Sequence, residues 1–444
     1  MILEALINSE GDVGKAAKSI QDSSHLLSTR KRKAVDIEEW VRGGNNSQAK
    51  KRSVTNLKTE QSELPMVPQL SSKPEVSTST SKPASSTEQT AHSMGKKPTQ
   101  LPPLLLSNAL MVKEHVPCTL HYSVLPPELA CKLFYVMSDL SNHWKRNKWW
   151  LFDRVVESPH LTSFFARQTN GLDDNEDWQE AAQFWYNGRP TDPPQKFPPE
   201  MEMACEIVEK IVNKELQTRE RWPLEWAGSY RATDSTAMWK ANVAASNCYR
   251  GGKESVGFHS DQLTYLGPYP TIASLSLGIR RQFTLREVIP RDQVMERKAR
   301  TFNVPLAHNS EQSFDDSFQL IIMHAPCQEN FKHAILPQSA IDLYHPMIPQ
   351  EPGTPIEPSN KRINITFRFY RPDFQPASIP RCHCNVPTIL RPDMKNRSDG
   401  KCADRYWWTC YAGAQNDGKG CNFWKVMDMD AEGRGPCINS VNVK

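Results

Sequence analysis

The sequence predicts an α+β protein in which a helical part is followed by an antiparallel β-sandwich or jelly roll. Amphipathic helical segments come before about residue 240, and short β-rich segments follow it, separated by Gly, Pro and charged turns. The 444 residues include 34 prolines, and the mean hydropathy is -0.61. A chain this polar cannot bury its whole length, so we also predict a disordered segment.

Residues 1–20 contain two short amphipathic segments separated by the turn-like SEGD. The stretch LEALINSEGDVGKAAKSI resembles the later helices of a CUE or UBA ubiquitin-binding module. That resemblance implies ubiquitin as a partner. The Met-Phe-Pro that opens a CUE domain is absent, and a helical segment without this function is the alternative.

Residues 21–104 are rich in Ser, Thr, Pro, Lys and Gln and show no helical or strand periodicity, so we predict a disordered linker. Two basic clusters within it, at 30–33 and 50–52, have the spacing of a bipartite nuclear import signal. They predict localisation to the nucleus. A solvated run of charges is the alternative explanation.

Hydropathy, charge and cysteine content narrow the class of protein. No run of about 18 apolar residues occurs and the N-terminus lacks a signal-peptide layout, so we expect an intracellular protein without a membrane span. The net charge of +4 is too small to indicate a polyanionic partner by itself. Six of the eleven cysteines lie between positions 382 and 437, which predicts a C-terminal metal module.

The predicted elements begin near residue 105. HYSVLPPELACKLFYVMSDL predicts a strand followed by a helix that starts at a proline, and PEMEMACEIVEKIVNKEL predicts a second amphipathic helix. Five strands are then predicted in VAASNCYRG, TIASLSLGI, RQFTLREVI, SFQLIIMHA and RINITFRFY. The length and prolines of residues 338–361 predict a surface insertion before the last of these strands.

The segment SVGFHSDQ places His259 and Asp261 two positions apart, which on a strand directs both side chains to one face. An imidazole and a carboxylate are two of the three ligands in the facial triad of non-haem iron(II) oxygenases. The third ligand is a distant histidine. On spacing alone His333 is a candidate, with His308, His324 and His345 as competitors.

The strand RINITFRFY alternates strictly between polar and apolar residues. Its polar face carries Arg362, Asn364, Thr366 and Arg368. Two arginines beside an amide and a hydroxyl suit a dicarboxylate such as 2-oxoglutarate, because guanidinium groups pair well with carboxylates. The alternative is an amphipathic strand whose polar face lies in water.

Together, SNCYRGGKESVGFHSDQ, PTIASLSLG, FKHAILP and RINITFR resemble the DNA-repair branch of the AlkB family of iron(II)/2-oxoglutarate dioxygenases, over residues 105–376. The resemblance implies a double-stranded β-helix (jelly roll) with flanking helices. It also implies that Fe(II) is held by His259, Asp261 and His333. By the same resemblance, Arg362 anchors the cosubstrate carboxylate. The implied 2-oxoglutarate contacts are Asn247, Tyr249, Arg362, Asn364, Thr366 and Arg368.

The activity implied by the resemblance is oxidative demethylation of N-alkylated bases in single- or double-stranded DNA, which directly reverses alkylation damage. The base must leave its stack, so a stacking aromatic is needed, and Phe184 and Tyr186 stand where the family places one. Gln262 replaces a second acid that many members carry, so the resemblance does not fix the preference among methylated bases. The alternatives are a 2-oxoglutarate oxygenase acting on RNA or protein, and a catalytically silent scaffold that binds nucleic acid or ubiquitin.

Residues 380–430 carry Cys382, Cys384, Cys410 and Cys421, an order that suits a closed tetrahedral zinc site. The segment resembles a GRF-type zinc finger, and Cys402 is a possible substitute ligand. The resemblance implies single-stranded nucleic acid as ligand. The guanidinium and stacking faces would come from Arg405, Tyr406, Trp407 and Trp408. We expect this finger to be separable from the iron site; a structural knuckle packed on the dioxygenase is the alternative.

Overall fold

A computed structural model of the chain describes the residues that carry the predicted fold. The described ranges are 101–151, 153–167, 184–228, 239–290, 293–306, 319–394 and 404–441. All of them fall within one of the two compact units of the chain, Ala91–Lys444. The ubiquitin-binding segment predicted at 1–20, the two basic clusters, nearly all of the linker, His308 and Cys402 lie outside the described residues.

The two predicted helices are confirmed and pack against each other. In chain order the helices of the described ranges are α1 (Ala109–His115), α2 (Pro127–Leu140), α3 (Pro199–Thr218), α4 (Cys327–Asn330) and α5 (Ile438–Val441). Both α2 and α3 begin with proline in the first turn, where a missing N–H costs no hydrogen bond. No helix in these ranges has the length and apolar character to cross a membrane.

Two β-sheets form the centre of the structure. The five-stranded sheet has the order β1-β13-β12-β15-β10, and the seven-stranded sheet has the order β2-β14-β11-β16-β9-β5-β8. Neighbouring strands are antiparallel except for β1–β13 and β5–β8. The strands of the first sheet are β1 (Leu104–Leu105), β10 (Val256–His259), β12 (Arg281–Glu287), β13 (Thr301–Leu306) and β15 (Phe331–Ile335). Those of the second are β2 (Cys118–Tyr122), β5 (Leu161–Ala166), β8 (Gln195–Lys196), β9 (Val243–Arg250), β11 (Ile272–Gly278), β14 (Gln319–Met323) and β16 (Lys361–Arg368).

One apolar core lies between the sheets, as a jelly roll requires. It joins Ile321 and Met323 of the seven-stranded sheet to Leu285 and Val304 of the five-stranded sheet. A second core lies between the seven-stranded sheet and helices α2 and α3. The predicted α+β jelly roll therefore agrees with the observed sheets, and all five predicted strands are present.

Strand β16 is buried on both faces. Its apolar face packs beneath the helices, and its polar side chains are also enclosed: Arg362 is 1% exposed, and Asn364 and Thr366 are each 7% exposed. A polar strand face lying in water is thus excluded. Burying three polar side chains in a row is costly unless each finds a partner or a ligand, so this face is a candidate site.

The insertion at 338–361 is only partly a surface segment. Residues 351–358 are exposed, as predicted. Tyr344, however, is fully buried, with its backbone N–H and C=O paired to Ser359 at 2.8 Å and its ring 4.7 Å from that of Phe134 on α2. The insertion is therefore pinned to the helical side of the fold.

The C-terminal module, residues 380–441, packs directly on the jelly roll. Its three-stranded sheet has the order β17-β18-β19, with β17 (Ile389–Pro392), β18 (Tyr406–Thr409) and β19 (Trp424–Val426). The chain beyond this sheet packs back on the rest of the domain, where the backbones of Cys437 and Trp226 form an isolated antiparallel β-bridge. One apolar cluster joins Leu263 and Tyr265 to Trp408 and Met427. This shared core argues against the expectation that the finger is separable.

The remaining described strands form two hairpins, which the sequence patterns did not indicate. They are β3 (Lys148–Leu151) with β4 (Arg154–Glu157), and β6 (Trp185–Tyr186) with β7 (Arg189–Pro190). Their strands have two to four residues, too few for a periodicity to show.

Candidate active site

Strand pairing brings the two candidate iron-binding histidines together. β10 and β15 are antiparallel neighbours, and His259 lies directly opposite His333. The Nε2 atoms of His259 and His333 lie 3.9 Å and 3.7 Å from Oδ1 of Asp261. One ligand atom from each of the three residues lies within 4.8 Å of the other two. This spacing suits one metal ion bound on one side by all three groups.

Asp261 is placed by hydrogen bonds as well as by its position in the sequence. β10 ends at His259, so strand alternation does not orient the carboxylate. Instead, the backbone N–H of Asp261 donates to Oε1 of Gln328 at 2.8 Å. Nε and Nη2 of Arg368 donate to Oδ2 at 2.9 and 2.8 Å. The guanidinium therefore occupies one carboxylate oxygen and leaves Oδ1 facing the histidines.

The electrostatics of this cluster favour metal ligation. Burial alone would raise the pKa of Asp261, but Arg368 and the two histidines outweigh it and lower that pKa to about 2. Burial, together with His259, lowers the pKa of His333 to about 3. At neutral pH Asp261 is thus anionic and His333 is neutral. These are the protonation states in which the two side chains bind a divalent metal.

The hydrogen bond at His259 selects the nitrogen that can bind a metal. Its Nδ1 lies 2.8 Å from the backbone oxygen of Gly257. A carbonyl only accepts hydrogen bonds, so Nδ1 carries the proton and Nε2 keeps its lone pair toward Asp261. The same backbone contact holds the ring in place.

The competing histidines in the described residues lie outside this cluster. His324 is buried, with Nε2 3.0 Å from Oγ1 of Thr119, and His345 is exposed on the insertion. Neither belongs to a described group of side chains that could share a metal ion.

Arg362 is a buried cation with unused hydrogen-bond donors. Its Nη2 donates to Oγ of Ser276 at 2.8 Å, while Nε and Nη1 have no hydrogen-bond partner among the described residues. Burial lowers the pKa of Arg362 to about 10. A guanidinium in this state fits a carboxylate ligand, because an anion would satisfy its donors and offset its desolvation.

The other predicted cosubstrate residues line the same face. β9 and β16 pair with Arg362 opposite Tyr249 and Asn364 opposite Asn247, so the four side chains share one side of the sheet. The Tyr249 ring lies 5.4 Å from the Arg362 guanidinium carbon. Burial, more than any other cause, raises the pKa of Tyr249 to about 12, so its hydroxyl is a neutral donor.

Asn364 and Thr366 form hydrogen bonds with each other and with the sheet. Asn364 donates through Nδ2 to Ser274 Oγ at 2.8 Å and to the backbone oxygen of Leu275 at 3.0 Å. Thr366 donates to Oδ1 of Asn364 at 3.1 Å. Asn247 accepts from Thr162 at 2.7 Å. In this arrangement the Asn364 side chain joins β16 to β11 and Thr366 supports Asn364, which leaves Arg362 and Tyr249 better placed to meet a ligand.

The three predicted substrate residues have different surroundings. Phe184 is packed between Tyr265 and Tyr370, with ring centroids 4.9 and 4.6 Å away, which is typical of a core aromatic. Tyr186 is half-buried, and burial followed by the charge of Asp261 raises its pKa to about 12. Tyr186 is thus a neutral phenol that lies close enough to Asp261 to interact with its charge. Gln262 donates through Nε2 to Thr264 Oγ1 at 2.9 Å.

The four cysteines predicted to hold zinc meet in the C-terminal module. The sulfur atoms of Cys382, Cys384, Cys410 and Cys421 all lie within 4.8 Å of one another. The backbone N–H of Cys421 donates to the sulfur of Cys410 at 3.4 Å. Amide donors of this kind stabilise thiolates, so the donor set suits a tetrahedral Zn²⁺ ion.

The prediction that Tyr406 and Trp408 offer stacking faces to a ligand is wrong. Both side chains are fully buried in the core that the module shares with the jelly roll. Strand alternation turns Trp407 the other way, where it is half-buried with its ring 6.2 Å from that of Trp424, which is 49% exposed. Arg405 has a side chain that is 49% exposed. Trp424 is an outer-face aromatic that the sequence patterns did not single out.

Comparison with known proteins identifies the class of the central domain. The family model described as "2OG-Fe(II) oxygenase superfamily" matches residues 148–368. The alpha-ketoglutarate-dependent dioxygenase alkB homolog 3 of Mus musculus is 30% identical over 164 residues, which are 36% of this chain and 46% of that protein. The DNA oxidative demethylase ALKBH2 of Homo sapiens is 30% identical over 94 residues, or 21% of this chain and 33% of that protein.

These relatives are matched over less than half of their own length. Among solved structures, "The structure of OsALKBH1" aligns with 57% of this chain and 99% of that chain, at 14% identity and a TM-score of 0.32, which does not establish a shared fold. The family assignment depends on the sequence match, which contains His259, Asp261, His333 and Arg362. Residues 148–368 match the model of the 2OG-Fe(II) oxygenase superfamily, and part of the chain is 30% identical to each of two proteins named as an alkB homolog and a DNA oxidative demethylase.

Proposed function

We propose that this protein is an Fe(II)/2-oxoglutarate-dependent demethylase of N-alkylated bases in DNA. The proposal rests on one combination of groups. The jelly roll contains both the cluster of His259, Asp261 and His333 and a buried cation, Arg362, that has unused hydrogen-bond donors. This combination provides for both groups that the reaction requires. DNA is the proposed substrate because one relative is named as a DNA oxidative demethylase.

In this proposal each metal ligand contributes one atom. Nε2 of His259, Nε2 of His333 and Oδ1 of Asp261 hold the iron, while Arg362 binds the far carboxylate of 2-oxoglutarate. When bound, these groups supply an oxidation in which O₂ and 2-oxoglutarate become succinate and CO₂ and an N-methyl group leaves as formaldehyde. The side chains themselves transfer no proton to the base. Their contribution is placement.

Arg368 has the central positioning role among the residues around the metal. Its two donors fix Asp261 through Oδ2, so only Oδ1 is left for the metal. Tyr186 is the proposed stacking partner for a base taken out of its stack, since its neutral phenol lies near Asp261. Gln262 follows Asp261 and offers an amide, which both donates and accepts, to the edge of the base.

The C-terminal module is proposed to hold one Zn²⁺ through Cys382, Cys384, Cys410 and Cys421. The support is the approach of the four sulfur atoms to within 4.8 Å of one another. Its proposed contact with single-stranded nucleic acid uses the outer face of β18 and β19. That face offers Trp407, Trp424 and Arg405, two indole rings and a guanidinium, which suit stacking and phosphate contacts.

The nuclear location and the ubiquitin partner remain proposals from residues outside the described ranges. The paired basic clusters at 30–33 and 50–52 support the first, and the amphipathic sequence pattern at 1–20 supports the second.

The substrate class is tested by mass spectrometry of the base after turnover. Purified full-length protein, Fe(II) and 2-oxoglutarate would be supplied with DNA oligonucleotides containing 1-methyladenine or 3-methylcytosine, single- and double-stranded. Matched RNA oligonucleotides and methylated peptides are the comparison, and Asp261→Ala protein is the blank. We expect unmodified adenine or cytosine in DNA. If only the RNA or only the peptide were demethylated, DNA would be rejected as the substrate.

A further inference from the structure

The loop that follows Asp261 is buried and is contacted by α4 and by the C-terminal module. Residues 263–270 of this ligand loop (261–270) are all buried, although the loop belongs to no helix or strand. A buried loop needs partners for its backbone groups. Side chains of α4 accept from the loop's backbone N–H groups, and the backbone oxygen of Tyr265 accepts from the N–H of Arg371.

Two adjacent residues of α4 hold the two ends of the ligand loop. Gln328 accepts from the backbone N–H of Asp261 at 2.8 Å, and Oε1 of Glu329 accepts from the backbone N–H of Tyr269 at 2.9 Å. Gln328 and Glu329 are 3% and 1% exposed, so water does not compete with these bonds. The turn of α4 thus fixes the loop against the strand that carries His333.

The C-terminal module reaches the same carboxylate. The hydroxyl of Tyr406 donates to Oε1 of Glu329 at 3.0 Å, and the Tyr406 ring meets the Tyr269 ring edge-on at 5.9 Å. Tyr406 is fully buried, which explains why it is unavailable for nucleic acid. One oxygen of Glu329 therefore joins the module to the end of the ligand loop.

A second contact reaches the loop nearer to the metal ligand. The backbone N–H of Leu390 on β17 donates to Oγ1 of Thr264 at 3.3 Å, and the same oxygen accepts from Nε2 of Gln262. A backbone group of the module thereby helps to fix the hydroxyl that orients the Gln262 amide.

The module also holds the hairpin of β6 and β7. Gln415 donates through Nε2 to the backbone oxygen of Asn187 at 2.8 Å. The backbone oxygen of Tyr411 approaches Gly188 so closely that a Cβ there would lie 2.7 Å from it, and the φ of +76° also requires glycine. On its other side, the hairpin donates from Trp185 N–H to the hydroxyl of Tyr265 in the ligand loop at 3.0 Å. Tyr186 thus lies on a hairpin contacted from two sides.

We propose that the C-terminal module is a positioning element of the iron site, in which Tyr406 acts through Glu329 on the ligand loop. Tyr406 and Glu329 touch neither metal nor substrate; they set the position of the segment that begins with Asp261 and Gln262. The inference rests on the oxygenase assignment but not on the identity of the substrate. It assigns the module a role beyond holding zinc or nucleic acid.

The test uses Tyr406→Phe in the full-length protein, because this change removes one oxygen and keeps the ring in its core. The matched control is Tyr135→Phe, which removes a phenol that donates to the backbone oxygen of Ile348 at 2.8 Å on the insertion. Amide hydrogen exchange of residues 261–270 would be followed in metal-free protein. We expect the exchange rate of the Tyr269 amide to rise about tenfold or more in Tyr406→Phe. The reason is that Glu329, which accepts from that amide, loses its buried hydrogen bond from the Tyr406 hydroxyl. The control should leave this segment unchanged.

Turnover separates positioning from general destabilisation. In Tyr406→Phe we expect a lower kcat and an unchanged KM for 2-oxoglutarate, because the Arg362 pocket is untouched. Glu329→Gln keeps an acceptor oxygen and should restore most of the protection and kcat that Glu329→Ala loses. Either wild-type exchange at 261–270 or a wild-type kcat in Tyr406→Phe would overturn the proposal.

The exchange measurement needs neither metal nor substrate. Therefore, if no methylated base were converted, the proposed function would fail while the positioning role could still be judged from exchange and from substrate-independent consumption of 2-oxoglutarate. Equal exchange in Tyr406→Phe and Tyr135→Phe would overturn the positioning role alone.

Discussion

The two clusters of candidate metal ligands are built in different ways. The iron-site ligands are held by strand pairing and by Arg368, with the side chains of His333 and Asp261 only 10% and 6% exposed. In the thiol cluster Cys384 is exposed, and Cys410 and Cys421 are half-buried. All four cysteines lie outside the strands of the module. The fold thus brings the candidate iron ligands together by itself, whereas we expect the thiol cluster to depend on a bound metal to hold its loops together.

The contacts of Tyr406 and Leu390 make the candidate iron site depend on the module that carries the thiol cluster. The thiol cluster lies in the C-terminal module. The inner face of that module contacts the ligand loop of the candidate iron site. Damage to the thiol cluster should therefore reach the iron site, while loss of iron should leave the module unaffected.

The largest effect on stability is expected from a cysteine change. Cys410→Ser should abolish zinc binding and lower the free energy of unfolding by several kcal/mol, which is part of the roughly 10–16 kcal/mol with which zinc-finger peptides bind structural Zn²⁺. The control is Cys437→Ser, which changes a buried thiol of the module outside the cluster. Zinc content by elemental analysis and thermal unfolding measure the outcome. Full zinc content in Cys410→Ser would remove that residue from the site.

The next effect concerns activity rather than stability. His333→Ala should reduce turnover to the level without enzyme, because one of three metal ligands is gone, and should leave zinc content and unfolding nearly unchanged. His324→Ala removes a histidine that is equally buried but lies outside the cluster. It should keep its turnover. The opposite pattern, an active His333→Ala with an inactive His324→Ala, would reverse the ligand assignment.

A smaller effect is expected at the cosubstrate anchor. Arg362→Lys should raise the KM for 2-oxoglutarate roughly 10- to 100-fold, the equivalent of one or two charge-assisted hydrogen bonds, because an ammonium cannot reproduce the guanidinium geometry. At saturating 2-oxoglutarate the kcat should recover. Arg250→Lys is the control, because Arg250 is an exposed arginine on β9 that follows Tyr249, the residue opposite Arg362. An unchanged KM in Arg362→Lys would show that the carboxylate binds elsewhere.

The smallest effect is a shift in selectivity. Gln262→Asp replaces an amide that donates and accepts with a carboxylate that only accepts, so the ratio of kcat/KM for 1-methyladenine to that for 3-methylcytosine should change several-fold. Consumption of 2-oxoglutarate without substrate should not change, since the metal ligands are untouched. If the variant and the wild type shared one ratio, Gln262 would play no part in base recognition.

Much of the fold and the iron site could be predicted because their signals are local. The alternation along β16 predicted the polar face of Arg362, and the spacing of His259 and Asp261 singled out two members of the cluster, although Asp261 lies beyond the end of β10. The supports of Asp261 could not be predicted, since Gln328 and Arg368 are 67 and 107 positions away. The choice of His333 needed the family resemblance, because register between β10 and β15 is a long-range property.

The inner and outer faces of β18 show a second limit. Alternation in YWWT implies that Tyr406 and Trp408 share one face and Trp407 the other. It does not say which face is buried. That depends on docking against the ligand loop, whose apolar residues Leu263 and Tyr265 have no periodic pattern of their own.

The account is tested most directly by the stoichiometry of one reaction. Full-length protein with Fe(II), 2-oxoglutarate, O₂ and a single-stranded DNA oligonucleotide containing 1-methyladenine would be assayed for succinate and formaldehyde together, beside His333→Ala. The account predicts one formaldehyde for each substrate-dependent succinate in the wild type and neither product from the variant. Succinate without formaldehyde, or equal products from His333→Ala, would contradict it.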